Sequence, residues 1–167
     1  VSAGGRARPD PAKGESQGHY YSNKAPGSIL LGAAVYLALY HGERLLGVDP
    51  RGKAFEVNLY LINLAVSVLP AALGVLAFCR ILAGLGVPFG QAWVLSLCLA
   101  FSTMLFPYST AFFGHATAAA FSLFGLQALL QDSSRGFLLA GFWAASAAAT
   151  DYSAALLLPL FLVFAWR

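Results

Sequence analysis

The stretch VNLYLINLAVSVLPAALGVLAFC, residues 57–79, contains no charged side chain. As an α-helix of 23 residues it would reach about 35 Å, and the hydrocarbon core of a bilayer is roughly 30 Å thick. The stretch therefore predicts a membrane-crossing helix. Pro70 lies inside it and predicts a kink, because proline cannot donate the hydrogen bond that the helix needs at that position.

The apolar runs that follow predict further crossings. Residues 90–106 and 111–130 are the next two, and Pro107 is expected to end the first of them. The run 136–166 would reach about 46 Å as one helix, which is too long for one crossing and too short for two. Asp151 divides this run almost in half. We expect two short helices, 136–149 and 153–166, that meet at Asp151 inside the membrane boundary or in a wet cavity.

The part of the chain before residue 57 is polar. Residues 1–27 are rich in glycine, proline, serine and charge, which is typical of a loop. Residues 28–47 begin with an apolar stretch too short to cross, and this indicates a helix lying in the membrane interface. Twelve of the seventeen charged residues fall within 1–56. The sequence thus predicts an all-α polytopic membrane protein with a polar segment, 1–56, and a transmembrane bundle, 57–167.

Composition excludes several other classes of protein. With 59% hydrophobic and 10% charged residues, the chain is more apolar than an ordinary soluble domain. Its basic residues are scattered, so no face for nucleic acid is expected. Cys79 and Cys98 lie in apolar runs and are expected to be free thiols. The sequence has no zinc-ligand spacing, phosphate-binding glycine loop or nucleophile elbow.

The charges leave the membrane orientation open. With the crossings given above, Arg80, Arg135 and Arg167 fall on one side of the membrane, which the positive-inside rule makes cytoplasmic. Arg51 and Lys53 lie close to a crossing on the other side and favour the opposite orientation.

Three polar clusters are predicted to share one membrane face: HYYSNK (19–24), PYSTAFFGH (107–115) and TDYS (150–153). Each combines tyrosine with serine or threonine and also contains an ionisable residue: Lys24, His115 and Asp151. The first cluster predicts a site for a charged lipid head group, because an ammonium suits phosphate oxygens and tyrosine rings can rest against lipid. Its candidate residues are His19, Tyr20, Tyr21 and Lys24. The candidate residues that line an adjoining cavity are Tyr108, Ser109, His115, Asp151 and Tyr152.

Each candidate also has an ordinary structural interpretation. Tyr20 and Tyr21 fit an interfacial aromatic belt, and Lys24 fits a side chain that extends to lipid phosphates. His115 fits a polar residue at the start of a helix. Asp151 is harder to explain this way, because carboxylates within membranes are costly and usually functional.

The order of these motifs resembles a known family. HYYSNKAPG, then a short apolar helix, a kinked crossing, and YSTAFFGH opening a later crossing are similar to bacterial membrane glycosyltransferases of the GT-C type. The relatives are those linked to dolichyl-phosphate-mannose–protein mannosyltransferases and to the aminoarabinose transferase of lipid A. The resemblance covers most of the chain from Asp10 to Pro159, and SNKAPG is its most specific part.

The resemblance implies a function. Such enzymes move a sugar from a polyprenyl-phosphate donor to a glycan, lipid or protein acceptor on the outer face of the bacterial plasma membrane. A lysine beside a proline in their first outer loop contacts the donor phosphate, which corresponds to Lys24. An aspartate early in that loop is the general base, for which Asp10 is the candidate here; a base upstream of Val1 is the alternative. Residues 1–56 would then be extracytoplasmic. Sugar transfer would not require a bound metal, and a divalent cation would be compatible with it.

The chain departs from the family pattern in its extent. No first crossing, later helices or outer domain is present, so we expect an N-terminal fragment that is inactive alone. Two other functions remain open. One is a transporter or flippase in which Asp151 relays protons or couples ions in a broken helix. The other is a structural membrane subunit, which would leave the polar clusters without a role.

Overall fold

The computed structural model of the chain describes residues 24–52 and 54–165, and this part consists of helices and the turns that join them. The all-α prediction is confirmed for these residues. The α-helices are α1 (Gly27–Leu45), α2 (Phe55–Asn63), α3 (Leu69–Gly84), α4 (Phe89–Phe101), α5 (Leu105–Thr110), α6 (Gly114–Leu129), α7 (Ser134–Thr150) and α8 (Leu158–Ala165). A π-helical segment, Leu64–Val68, joins α2 to α3, and a 3₁₀ helix, Tyr152–Leu157, precedes α8.

Helices α2 and α3 and the π-helical segment between them form one continuous helix, Phe55–Gly84. Among the described residues it is the only helix of 18 residues or more that is apolar enough to cross a membrane. Only 28% of its most apolar window is buried in the protein. Its apolar surface therefore faces outward for most of its length.

Pro70 changes the helix type without interrupting the helix. It lies in the first turn of α3, directly after the π-helical segment. Proline has no N–H to donate to the carbonyl four residues earlier, which is that of Val66. The buried hydroxyl of Thr117, on α6, donates to that carbonyl at 2.6 Å. A neighbouring helix thus supplies a donor where the proline cannot.

The predicted crossing 90–106 is wrong in its bounds, because α4 ends at Phe101 and a separate helix, α5, follows. The hydroxyl of Thr103 lies between them: it donates to the carbonyl of Leu99 and accepts from the N–H of Leu105. Pro107 was expected to end a helix, but it lies in the first turn of α5. An N–H in the first turn has no partner inside the helix, so proline is tolerated there.

The predicted break at Asp151 is confirmed. α7 ends at Thr150, and Asp151 has extended backbone dihedral angles. The chain then turns through the 3₁₀ helix before α8 begins. The sequence predicts one α-helix, 153–166, for the second half of this run. The structure has the 3₁₀ helix followed by α8 instead. Pro159 lies in the first turn of α8, where proline is favoured.

The predicted helix at 28–47 is observed as α1. Near its start, Gly32 lies beside Phe112 and Ile62, and near its end Glu43 accepts a hydrogen bond from the buried amide of Asn58 at 2.9 Å. α1 therefore packs on the α2 end of the long helix.

Helix α6 lies at the centre of the described part and packs against α3 and α7. We call its first turn, with Asp151, the His115 end of the bundle. The opposite end, formed by Arg80 and the turn from α6 to α7, is the Arg80 end.

We expect Thr117→Val to lower the free energy of unfolding by roughly 1–3 kcal/mol, because it removes the donor to Val66 and leaves a buried carbonyl short of a partner. In a Pro70→Ala background the loss should be smaller, since the alanine has a backbone N–H that can donate to Val66. Thermal unfolding in detergent, followed by circular dichroism, measures both.

Ser122→Ala is the matched control for this cycle. The Ser122 hydroxyl donates to the carbonyl of Ala118, within its own helix, at 2.9 Å. This substitution should change stability much less than Thr117→Val. Equal losses for Thr117→Val in both backgrounds would contradict the role assigned to Pro70.

Candidate functional site

His115 and Asp151 form a hydrogen-bonded pair across the His115 end. His115 is the second residue of α6, and its Nδ1 contacts Oδ2 of Asp151. The other carboxylate oxygen, Oδ1, accepts from the N–H of Ser153 at 3.0 Å and from its hydroxyl at 2.8 Å. Asp151 therefore caps the 3₁₀ helix with one oxygen and holds the imidazole with the other.

The electrostatics of the pair favour an ionised carboxylate. Asp151 lies in the break between helices, outside Phe55–Gly84. Partial burial raises the pKa of Asp151, but hydrogen bonds from His115 and Ser153 lower it by more, so that it lies below its ordinary value. A carboxylate can only accept, so Nδ1 of His115 carries the proton. Nε2 is the ring nitrogen that does not contact Asp151.

Two aromatic rings flank the imidazole. The ring of Tyr108 lies 5.0 Å from that of His115, and Phe113 stacks on it at 6.3 Å, centroid to centroid. The side chain of His115 is 51% exposed and that of Asp151 is 16% exposed. The imidazole is thus fixed by its neighbours and still accessible.

The end of α7 brings the start of α1 to the same place. A methyl group on Gly27 would lie 2.7 Å from the carbonyl oxygen of Ala149 and from the Cα of Thr150. A methyl group on Gly114 would lie 2.5 Å from the carbonyl oxygen of Thr150. Both glycines therefore allow backbone to touch backbone. Lys24, three residues before α1, is exposed at this end of the bundle.

A cavity of about 910 Å³ opens beside the pair. Its polar atoms gather at the His115 end, where Tyr108, His115, Asp151 and Ser153 line it. The hydroxyl of Ser122 also lies on its wall but donates to its own helix. The remaining wall is apolar and is formed by Phe78, Leu99, Ala118, Ala119, Leu123, Leu126, Leu129, Ala154, Leu156, Leu157, Leu160 and Phe161.

Three of the five candidates for a cavity lining, Tyr108, His115 and Asp151, line it, and two do not. Ser109 is buried with its hydroxyl donating to the carbonyl of Phe106. Its side chain is therefore committed to its own helix and does not line the cavity. Tyr152 is 63% exposed and does not line it. Asp10, His19, Tyr20 and Tyr21 lie outside the described residues.

Sequence reasoning placed Ser153 in the TDYS cluster without naming it as a lining residue, and it missed the apolar wall. The pattern Asp-x-Ser, residues 151–153, is a signal for a carboxylate that accepts from the backbone two residues later. The leucines of the wall carry no such signal, because an apolar residue facing a cavity looks like one facing lipid.

Metal ligands do not gather in the part of the chain that the structure describes: no three histidine, cysteine, aspartate or glutamate side chains lie close enough to hold an ion. Cys79 and Cys98 are both free thiols, Cys79 buried and Cys98 exposed.

Comparison with known proteins gives no relative. No protein-family model, curated protein or solved structure matches the chain.

We expect Gly114→Ala to destabilise the bundle by about 1–3 kcal/mol, because the new methyl group would press on the rigid backbone at Thr150. Gly141→Ala, in α7, is the matched control, since a methyl group there meets open space. It should be neutral or stabilising by up to about 1 kcal/mol. Thermal unfolding in detergent compares the two, and equal melting temperatures would contradict the close approach at Thr150.

Proposed function

We propose that this chain is the donor-binding part of a bacterial membrane glycosyltransferase. The enzyme would move a sugar from a polyprenyl-phosphate carrier to an acceptor hydroxyl at the outer face of the plasma membrane. The observation that carries the proposal is the cavity of about 910 Å³, apolar along its wall and lined at one end by His115 and Asp151. A polyprenyl phosphate sugar has the same division, since a long hydrocarbon carries its polar groups at one end.

The length of the apolar wall supports a chain-like ligand. Lining residues follow α6 from His115 to Leu129, a distance of roughly 21 Å along the helix axis. Leu160 and Phe161 on α8 also line the cavity. A hydrocarbon chain in this cavity would bury apolar surface, at about 25 cal/mol per Å².

Placement of the whole bundle in a membrane is part of the proposal. Phe55–Gly84 is long enough to cross, and its outward surface is apolar. α6 and α7 have 16 and 17 residues, or about 24–26 Å, and would cross with local thinning of the bilayer. Residues 1–56 would then form the outer segment, with α1 in the interface, and 57–167 the transmembrane bundle.

The transfer needs a cation for the donor phosphate and a base for the acceptor. The acceptor oxygen bonds to the anomeric carbon of the sugar as the bond from that carbon to the phosphate oxygen breaks. The phosphate keeps the electron pair and leaves as an anion, which the ammonium of Lys24 would stabilise. The hydroxyl proton passes to a base, which is Asp10 by the family resemblance. Nε2 of His115 is a second candidate, held and oriented by Asp151.

The transporter alternative also uses the break at Asp151. A transporter needs a site near the middle of the membrane that both sides can reach. Here the carboxylate lies at the His115 end, beside the first turn of α6 and the start of α1. The polar residues of the cavity lining gather at this one end, which fits a lipid-linked donor whose polar groups lie at one end of a hydrocarbon chain.

We expect Lys24→Ala, in the full-length enzyme, to weaken donor binding and turnover roughly ten- to a hundred-fold, because a charge-assisted phosphate contact is lost. Lys24→Arg should restore activity only in part, since a planar guanidinium needs a different approach from an ammonium.

His115→Ala should lower turnover by about 10²–10⁴ if its ring is the base. The measurement is transfer of radiolabelled sugar from a polyprenyl-phosphate donor to membrane acceptors.

Arg51→Ala and His41→Ala are the matched controls. Both residues are exposed and neither lines the cavity. They should leave transfer unchanged. Wild-type donor affinity and turnover in Lys24→Ala would mean that this lysine only extends to lipid phosphates.

A further inference from the structure

A second cavity, of about 410 Å³, lies at the Arg80 end between α3, α6 and α7. It shares no lining residue with the cavity at His115 and Asp151. Its wall is formed by Leu73, Leu76, Ala77, Arg80, Phe124, Gln127, Ala128, Gln131, Leu139 and Trp143. It is therefore a separate candidate site.

Three polar side chains in this second cavity have no partner among the described residues. The guanidinium of Arg80 is exposed and makes no ion pair or hydrogen bond with any residue that the structure describes. Gln127 lies in the last turn of α6 and Gln131 in the turn that follows it, and both line this cavity. Their side-chain amides likewise have no hydrogen-bond partner within residues 24–52 and 54–165. Together they offer a cation and two amides to a ligand.

The apolar part of the cavity lies on one side of these groups. Leu73 and Leu76 precede Arg80 by seven and four residues and share its face of α3. Arg80 lies four residues before the end of Phe55–Gly84, whereas the leucines lie nearer its middle. Trp143 completes the wall, and its ring contacts that of Phe124 at 5.1 Å.

We propose that this second cavity binds an anionic phospholipid. The phosphate would contact Arg80, head-group or ester oxygens would bond to Gln127 and Gln131, and one acyl chain would lie along Leu73 and Leu76. A single exposed guanidinium holds a free anion weakly in water, and most of the wall is apolar. A phosphate with a hydrocarbon chain fits both parts. The proposal rests on the membrane placement of Phe55–Gly84 and does not depend on glycosyl transfer.

The test uses Trp143 as a local probe. Substituting Trp93 and Trp166 by phenylalanine leaves it as the one tryptophan of the chain. The full chain is placed in phosphatidylcholine nanodiscs that contain increasing fractions of phosphatidylglycerol with brominated acyl chains. Bromine quenches tryptophan fluorescence only at short range, so quenching reports lipid in the second cavity. We expect saturable quenching at a lower lipid fraction than with brominated phosphatidylcholine.

Arg80→Gln should raise the half-quenching fraction of phosphatidylglycerol roughly tenfold, because a charge-assisted contact is lost. Arg80→Lys should retain most of the preference. Arg135→Gln is the matched control: Arg135 is exposed at the same end but does not line the cavity. It should change the half-quenching fraction less than about twofold. Circular dichroism confirms that each variant is folded.

Three results would overturn the proposal. The first is equal quenching by the two brominated lipids in the wild-type background, and the second is an equal shift in Arg80→Gln and Arg135→Gln. The third is displacement of the lipid by soluble glycerol 3-phosphate, which would assign the cavity to a free phosphate. If the wild-type protein prefers phosphatidylglycerol at this cavity but transfers no sugar, the proposed glycosyltransferase function is contradicted and the lipid site stands.

Discussion

The hydrogen bond from Thr117 to the carbonyl of Val66 is the contact on which the rest of the bundle depends. Pro70 cannot donate to that carbonyl, and α6 supplies the donor instead. Because both residues are buried, an unpaired carbonyl would be costly there. The bond sets the position of α6 along the long helix. His115 lies two residues before Thr117, so the same bond places the imidazole at one end of the bundle.

The second constraint is the close approach of three segments at Thr150. Gly27 and Gly114 bring the starts of α1 and α6 against the last residues of α7, and any larger side chain would separate them. Asp151 follows directly and uses both carboxylate oxygens, one on the 3₁₀ helix and one on His115. The side chain that caps the start of the 3₁₀ helix is therefore also the one that orients the imidazole. Local folding and the candidate chemistry cannot be altered independently at this position.

The helical class, the long helix and the break at Asp151 could all be predicted from the sequence. The lengths of the apolar runs indicate the helices, and a single carboxylate inside an apolar run indicates the break. The sequence could not show which residues face the cavity. Ser109 and Tyr152 are neighbours in sequence of lining residues, but the Ser109 hydroxyl bonds to its own helix and Tyr152 lies on the exposed surface. Pro107 was misread because proline marks both the end of one helix and the start of the next. The partner of Val66 lies on another helix, and no local pattern of residues could identify it.

The most direct test of the donor-site assignment is to map where a polyprenyl phosphate binds. A photoreactive group in the isoprene unit next to the phosphate would be activated on the purified chain, and labelled peptides identified by mass spectrometry. We expect label on the first turns of α6, near Ala118 and Ala119, and on Ala154 in the 3₁₀ helix, with protection by unlabelled polyprenyl phosphate. Label spread over the exposed leucines of α1 and α4, without protection, would contradict the assignment.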